Sequence, residues 1–190
     1  MRPVLIVTAA AAALLLGAWS PGPKAIATAE AGKVWHDVSA DPKGAAALAR
    51  GVVDIDAPPS VVWRLMMDCA ATQRIMPSNR GCKVLKTGDG WDVREHMLKT
   101  PLQMVRSVFR SDVTPERKMV FHRVDGDMKI MEGEWRLQPL DGGKRTRVTH
   151  EMRMQPGFSA PGFMVRSFVR GEVSEGLANL RAESEAAAKS

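Results

Sequence analysis

The chain has 190 residues, with 27 Lys and Arg against 21 Asp and Glu, so it carries a net charge of +6 and suits one domain of moderate size. Its 45% hydrophobic and 25% charged residues exclude a disordered chain, a collagen-like repeat and a multispan membrane protein. Two cysteines exclude a disulfide-rich scaffold or a four-thiolate zinc site, while 12 Met against 5 Phe, 5 Trp and no Tyr point to adaptable apolar surfaces.

Residues 1–29 read as a secretory signal peptide. Met1-Arg2-Pro3 is a short basic start, residues 4–18 are uncharged and mostly apolar, and Ser20-Pro21-Gly22-Pro23 interrupts them. That run is shorter than the roughly 20 residues that cross a bilayer core, and Ala27-Thr28-Ala29 offers small residues for cleavage near Ala29. The expected location is periplasmic or secreted; the alternative is tethering by an uncleaved signal anchor. Removing residues 1–29 takes Arg2 and Lys24 and no acid, leaving net +4, too mild to argue for nucleic acid. In an oxidising compartment Cys69 and Cys82 either close a small loop or stay as two buried thiols.

Residues 30–50 lack a sustained period and read as a linker or irregular N-terminal segment; residues 51–190 form the domain. Val53, Ile55 and Ala57 alternate against Asp54 and Asp56 before Pro58-Pro59, which predicts a strand over 51–57 with its aspartates on the wet face. Ser60 is placed to cap a short helix through Val61 to Met67, and a second short helix covers 70–76. Trp63 is expected to fill the seam between the first helix and the sheet. Six strands follow at 81–87, 91–98, 104–113, 118–124, 128–137 and 146–154, separated by turns such as Gly88-Asp89-Gly90 and Asp125-Gly126-Asp127. Short connections make the sheet antiparallel, seven strands in all. In the last strand Val148, His150, Met152 and Met154 alternate against Arg147, Thr149, Glu151 and Arg153, one dry face against one wet face. Val165, Phe168, Val169, Val173, Leu177 and Leu180 recur at three and four, so 162–187 is an amphipathic helix that covers the dry side.

Strand, two short helices, six antiparallel strands and one long C-terminal helix is the order of the helix-grip fold, of class α+β. The sequence resembles the START-like (SRPBCC) superfamily of polyketide cyclases and dehydrases, coenzyme Q-binding proteins and lipid-transfer domains. The matching residues are Ile55-Asp56-Ala57-Pro58-Pro59, Val62-Trp63 and Asp68, then Gly133-Glu134-Trp135-Arg136-Leu137-Gln138-Pro139-Leu140, Gly142-Gly143 and Thr146-Arg147-Val148. The resemblance spans roughly residues 50 to 185. It implies a cavity between curved sheet and long helix that holds a hydrophobic small molecule, such as a lipid, quinone or isoprenoid. Carried over by position, the ligand-binding residues are Met131, Trp135, Val148, His150 and Met152 from the last strands and Phe163, Met164 and Phe168 from the final helix. Phe109 and Met97 are added from the middle strands.

Chemistry is less visible. No HExxH, GxSxG, GxGxxG or GxxxxGK[ST] motif and no CxxC spacing is present, so no catalytic residue, metal site or cofactor is assigned. Of His36, His96, His122 and His150, only His150 has the dry parity, as a handle for a ligand carbonyl, a catalytic base or a satisfied core histidine. The alternative function is a cyclase- or dehydrase-like enzyme on an aromatic or polyketide substrate; the lack of paired acid and base residues on the dry parity counts against it. Arg94, Arg106, Arg110, Arg123, Arg136, Arg145, Arg147 and Arg153 make the wet face basic, through ordinary cross-strand ion pairs or for peripheral contact with an anionic membrane. The loop between Pro156 and Pro161 reads as a movable entrance.

Overall fold

The computed structural model describes residues 19–190. A short helix α1 (Pro23–Glu30) leads into strands β1 (Trp35–Ser39) and β2 (Ala47–Ile55). Helices α2 (Pro59–Met67) and α3 (Cys69–Ile75) follow, then strands β3 (Asn79–Gly88), β4 (Trp91–Lys99), β5 (Met104–Thr114), β6 (Lys118–Gly126), β7 (Met128–Leu140) and β8 (Arg145–Pro156), and helix α4 (Gly162–Ala187). The eight strands form one antiparallel sheet in the order β1-β2-β8-β7-β6-β5-β4-β3, with α4 packed on β2 and against α2 and α3. This is the expected α+β helix-grip arrangement with one strand more. β1 lies in the expected linker, where Trp35 to Ser39 pair with Val52 to Leu48. Polar His36 and Asp37 hide its period, and edge pairing with β2 supplies what a hydrophobic repeat does not.

Two close approaches shape the inner face. A Cβ on Gly51 would lie 2.4 Å from Leu177 Cδ1, so α4 crosses β2 there only because the side chain is missing. Gly133 plays the same part on β7, where a Cβ would meet Glu151 O at 2.1 Å and the Phe121 ring at 2.9 Å. Near α4, Asp68 caps α3 by accepting from Ala70 N at 2.8 Å. Ser60 makes no such cap: α2 begins one residue earlier, with the fixed φ of Pro59 in its first turn. Cys69 and Cys82 form a disulfide between α3 and β3, closing a separation of 13 residues.

The outer face is not wholly wet. Helix α1 places Ala25 and Ala29, four apart, flat against Val52, and all three are buried. Trp19 stacks on Trp35 at 5.8 Å, and Arg50 lies over the Trp19 ring at 5.2 Å. Under this cover Asp54 is 4% exposed, a correction to its expected wet position, and Arg147 grips it with Nε and Nη2 at 2.7 and 2.8 Å while reaching Glu30 at 3.2 Å. Ala27-Thr28-Ala29, the expected cleavage sequence, lies inside α1. The apolar run at residues 4–18 is outside the described residues.

Candidate functional site

A cavity of about 140 Å³ lies between the inner face of the sheet and the three helices α2, α3 and α4. Its floor is an aromatic arc running across the strands. His96 on β4 meets Phe109 on β5 edge to face at 4.9 Å, Phe109 meets Phe121 on β6 at 6.1 Å, Phe121 stacks on His150 of β8 at 6.1 Å, and His150 stacks on Trp135 of β7 at 3.7 Å. Met66, Met76, Met119, Met131 and Met152 fill the flanks, and Val173, Gly176, Leu177 and Leu180 of α4 form the roof. A second cavity of about 50 Å³ follows toward the start of α4, bounded by Leu98, Met128, Met154, Phe158, Met164 and Phe168.

Of the expected ligand-binding residues, Phe109, Met131, Trp135, His150 and Met152 line the main cavity, and Met164 and Phe168 line the second. Val148 is fully buried in the core and lines neither. Two positions need correction. Phe163 is 67% exposed, because Val165, Val169 and Val173 set the buried stripe of α4 and Phe163 falls outside it. Met97 faces outward beside Gly81. On β4 the alternation buries Asp92, Arg94, His96 and Leu98 and leaves Trp91, Val93, Glu95 and Met97 only partly covered, the reverse of what side-chain hydropathy suggests.

That reversal brings a polar group to the cavity that the expected parity placed outside. Arg94, 4% exposed, donates from Nε to Asp92 at 2.8 Å, with Nη2 2.7 Å from the same carboxylate and Nη1 3.4 Å from Met66 O. His96 is buried, and neither ring nitrogen has a hydrogen-bond partner among the described residues; the same holds for Ser111 Oγ and Asp92 Oδ1. Burial pushes the His96 imidazole down to about 4, with the Arg94 charge adding to it. Burial likewise takes His150 down to about 4 against the opposing pull of its hydrogen bond to Glu134 O, 3.2 Å from Nδ1. Glu172 reaches the cavity from α4, holds the Ser78 hydroxyl at 2.7 Å and is raised by burial. Acid and base residues therefore do share the dry side, contrary to the sequence expectation. Among the described residues no group of three His, Cys, Asp or Glu is placed to hold a metal ion.

Most arginines of the outer face are paired with carboxylates, while Arg123 donates to the Gly126 carbonyl. Arg106 pairs with Glu95 and Asp125, Arg110 with Asp112, Arg136 with Glu134, Arg145 with Asp56 and Asp141, and Arg153 with Asp41 and Glu132. These ion pairs, some between strands and some within one, are ordinary features of a sheet surface and lend no support to docking on anionic lipid. Among the described residues no helix is long and apolar enough to cross a membrane.

The family model described as polyketide cyclase / dehydrase and lipid transport matches residues 55–181. None of the curated proteins matches the chain. Solved structures share the fold. A STAR-related lipid transfer protein from Xanthomonas axonopodis is 20% identical with a TM-score of 0.68, over 80% of this chain and 93% of its own. The protein TTHA0849 from Thermus thermophilus is 22% identical with a TM-score of 0.64, over 74% and 98%. The Zhui aromatase/cyclase from Streptomyces sp. R1128 is 18% identical with a TM-score of 0.59, over 82% and 94%.

Proposed function

The chain belongs to the polyketide cyclase/dehydrase and lipid transport family, and from that premise we propose that it holds and carries a hydrophobic small molecule in the cavity under α4. The observation that carries this reading is an apolar space walled by methionines and aromatics, with a few convergent buried polar groups. Its volume, about 140 Å³, resembles the roughly 150 Å³ of a protein cavity that admits benzene. A single ring or a chain segment fits as the cavity stands. A longer ligand reaches the second cavity once Met131, Met152 and Met154 repack, which unbranched thioethers do at low cost.

The enzymatic reading, a cyclase or dehydrase on an aromatic or polyketide substrate, draws on Arg94 and His96 at the wall, with Asp92 paired to Arg94 behind it. Their states favour binding instead. A general base works best with a pKa near the operating pH, and both cavity histidines sit near 4. Arg94 is already committed to Asp92 and Met66 O, so it has little left to offer a developing oxyanion. The test is calorimetric titration with toluene, a single uncharged ring of the size the cavity admits: saturable one-to-one binding is expected, with Gly176→Leu, which fills the roof, abolishing it. No saturable signal from the folded wild type would sink the carrier reading.

The basic start and the apolar run at 4–18 support export to the periplasm or beyond. The packing of Trp19, Ala25 and Ala29 on the sheet supports a cut before Trp19 rather than near Ala29, since the later cut removes most of α1 from the fold. N-terminal sequencing of the protein recovered from the cell envelope tests this; a mature chain starting at Glu30 contradicts it.

A further inference from the structure

Four polar side chains on the cavity wall, Arg94, His96, Ser111 and His150, are each no more than 6% exposed, and their hydrogen-bonding capacity restricts what can sit beside them. The Arg94 charge is matched by Asp92, and its Nε, Nη1 and Nη2 all have acceptors. His150 Nδ1 faces the Glu134 carbonyl, which only accepts, so that nitrogen carries the ring proton and Nε2 is left as a bare acceptor in the neutral ring. His96 has one donor and one acceptor nitrogen, both without partners among the described residues, and the Ser111 hydroxyl is in the same condition. With Glu172 also on the lining, the described groups supply no uncompensated positive charge.

Given the carrier reading above, on which this rests, we propose that the cavity selects an uncharged ring-bearing molecule with a hydroxyl group, against both the bare hydrocarbon and the carboxylate. A carboxylate leaves water for an apolar space whose one guanidinium is already neutralised, and pays desolvation without a counter-charge. A hydrocarbon covers the orphaned His96 and Ser111 atoms without bonding them. A ketone or quinone oxygen answers the donors but gives nothing to His150 Nε2. A hydroxyl can bond at either end of the arc, donating to the bare Nε2 of His150 on β8, or both donating and accepting at His96 and Ser111 on β4 and β5. At about 140 Å³ the cavity suits one substituted ring.

Calorimetric titration at neutral pH with 4-ethylphenol, ethylbenzene and 4-ethylbenzoate tests the idea, since the three differ only in the polar group. The phenol is expected to bind at least about tenfold tighter than either of the others, and His150→Phe or Ser111→Ala to shrink that preference while ethylbenzene still binds. Equal binding of phenol and hydrocarbon, or tightest binding of the benzoate, overturns the hydroxyl selection and leaves the carrier reading standing. Failure of all three to bind the folded wild type overturns both.

Discussion

Two buried arginine–aspartate pairs on opposite faces of the same sheet differ in how completely they are closed. On the outer face, Arg147 takes both oxygens of Asp54 and also Glu30 of α1. On the inner face, Arg94 takes only Oδ2 of Asp92, and Oδ1, His96 and Ser111 Oγ nearby have no partner among the described residues. The outer pair packs under a helix made of this chain; the inner cluster borders a void. A buried polar group without a partner is costly, so unmet capacity gathered beside an apolar cavity is what the carrier reading draws on, whereas the outer pair reads as structure.

The largest expected effect separates the inner face from the outer by pH. The unfolded imidazole takes a proton near 6.5 and the folded His96 and His150 only near 4, so the unfolded state binds more protons across that window. Stability is therefore full above pH 6.5 and falls as pH drops toward 4, by about 3 kcal/mol for each ring, readable by urea denaturation at stepped pH. His96→Phe and His150→Phe should each flatten the curve; unchanged slopes would contradict the assigned burial. Next, Arg147→Met leaves buried Asp54 with only Arg145 Nη2, 3.9 Å away, and should cost about 3 kcal/mol, with neutral-probe affinity unchanged once the protein is folded. Loss of probe binding in that folded variant would blur the contrast between the faces. Deleting residues 19–31 uncovers Val52 and the Trp35 ring and should cost about 2–4 kcal/mol in thermal or urea unfolding. The smallest stability effect is expected at Ser111→Ala, within about 1 kcal/mol, because it removes a hydroxyl with no partner among the described residues.

The residues that announce themselves by period are those whose neighbours agree. On β8, Val148, His150, Met152 and Met154 share one parity against charged partners, and the α4 stripe repeats at three and four, so the sheet, the covering helix and five cavity residues are readable from the chain. β4 defeats the same reasoning: its two parities are Trp91, Val93, Glu95, Met97 and Asp92, Arg94, His96, Leu98, and the more polar set is the buried one. A single strand cannot reveal that Asp92 will neutralise Arg94 and that Met66 O will take another donor. Helix α1 is hidden differently, since small alanines suit both a processing sequence and close packing on a sheet. β1 is too short and too polar to show a period, and exists through its pairing with β2.

The most direct measurement is native mass spectrometry of the protein purified from its own cells, alongside the denatured mass. A carrier should show a one-to-one adduct that disappears on denaturation and is recovered in organic solvent as an uncharged compound. A single bare mass in both conditions, from protein that also fails to take up the neutral probe, would contradict the account.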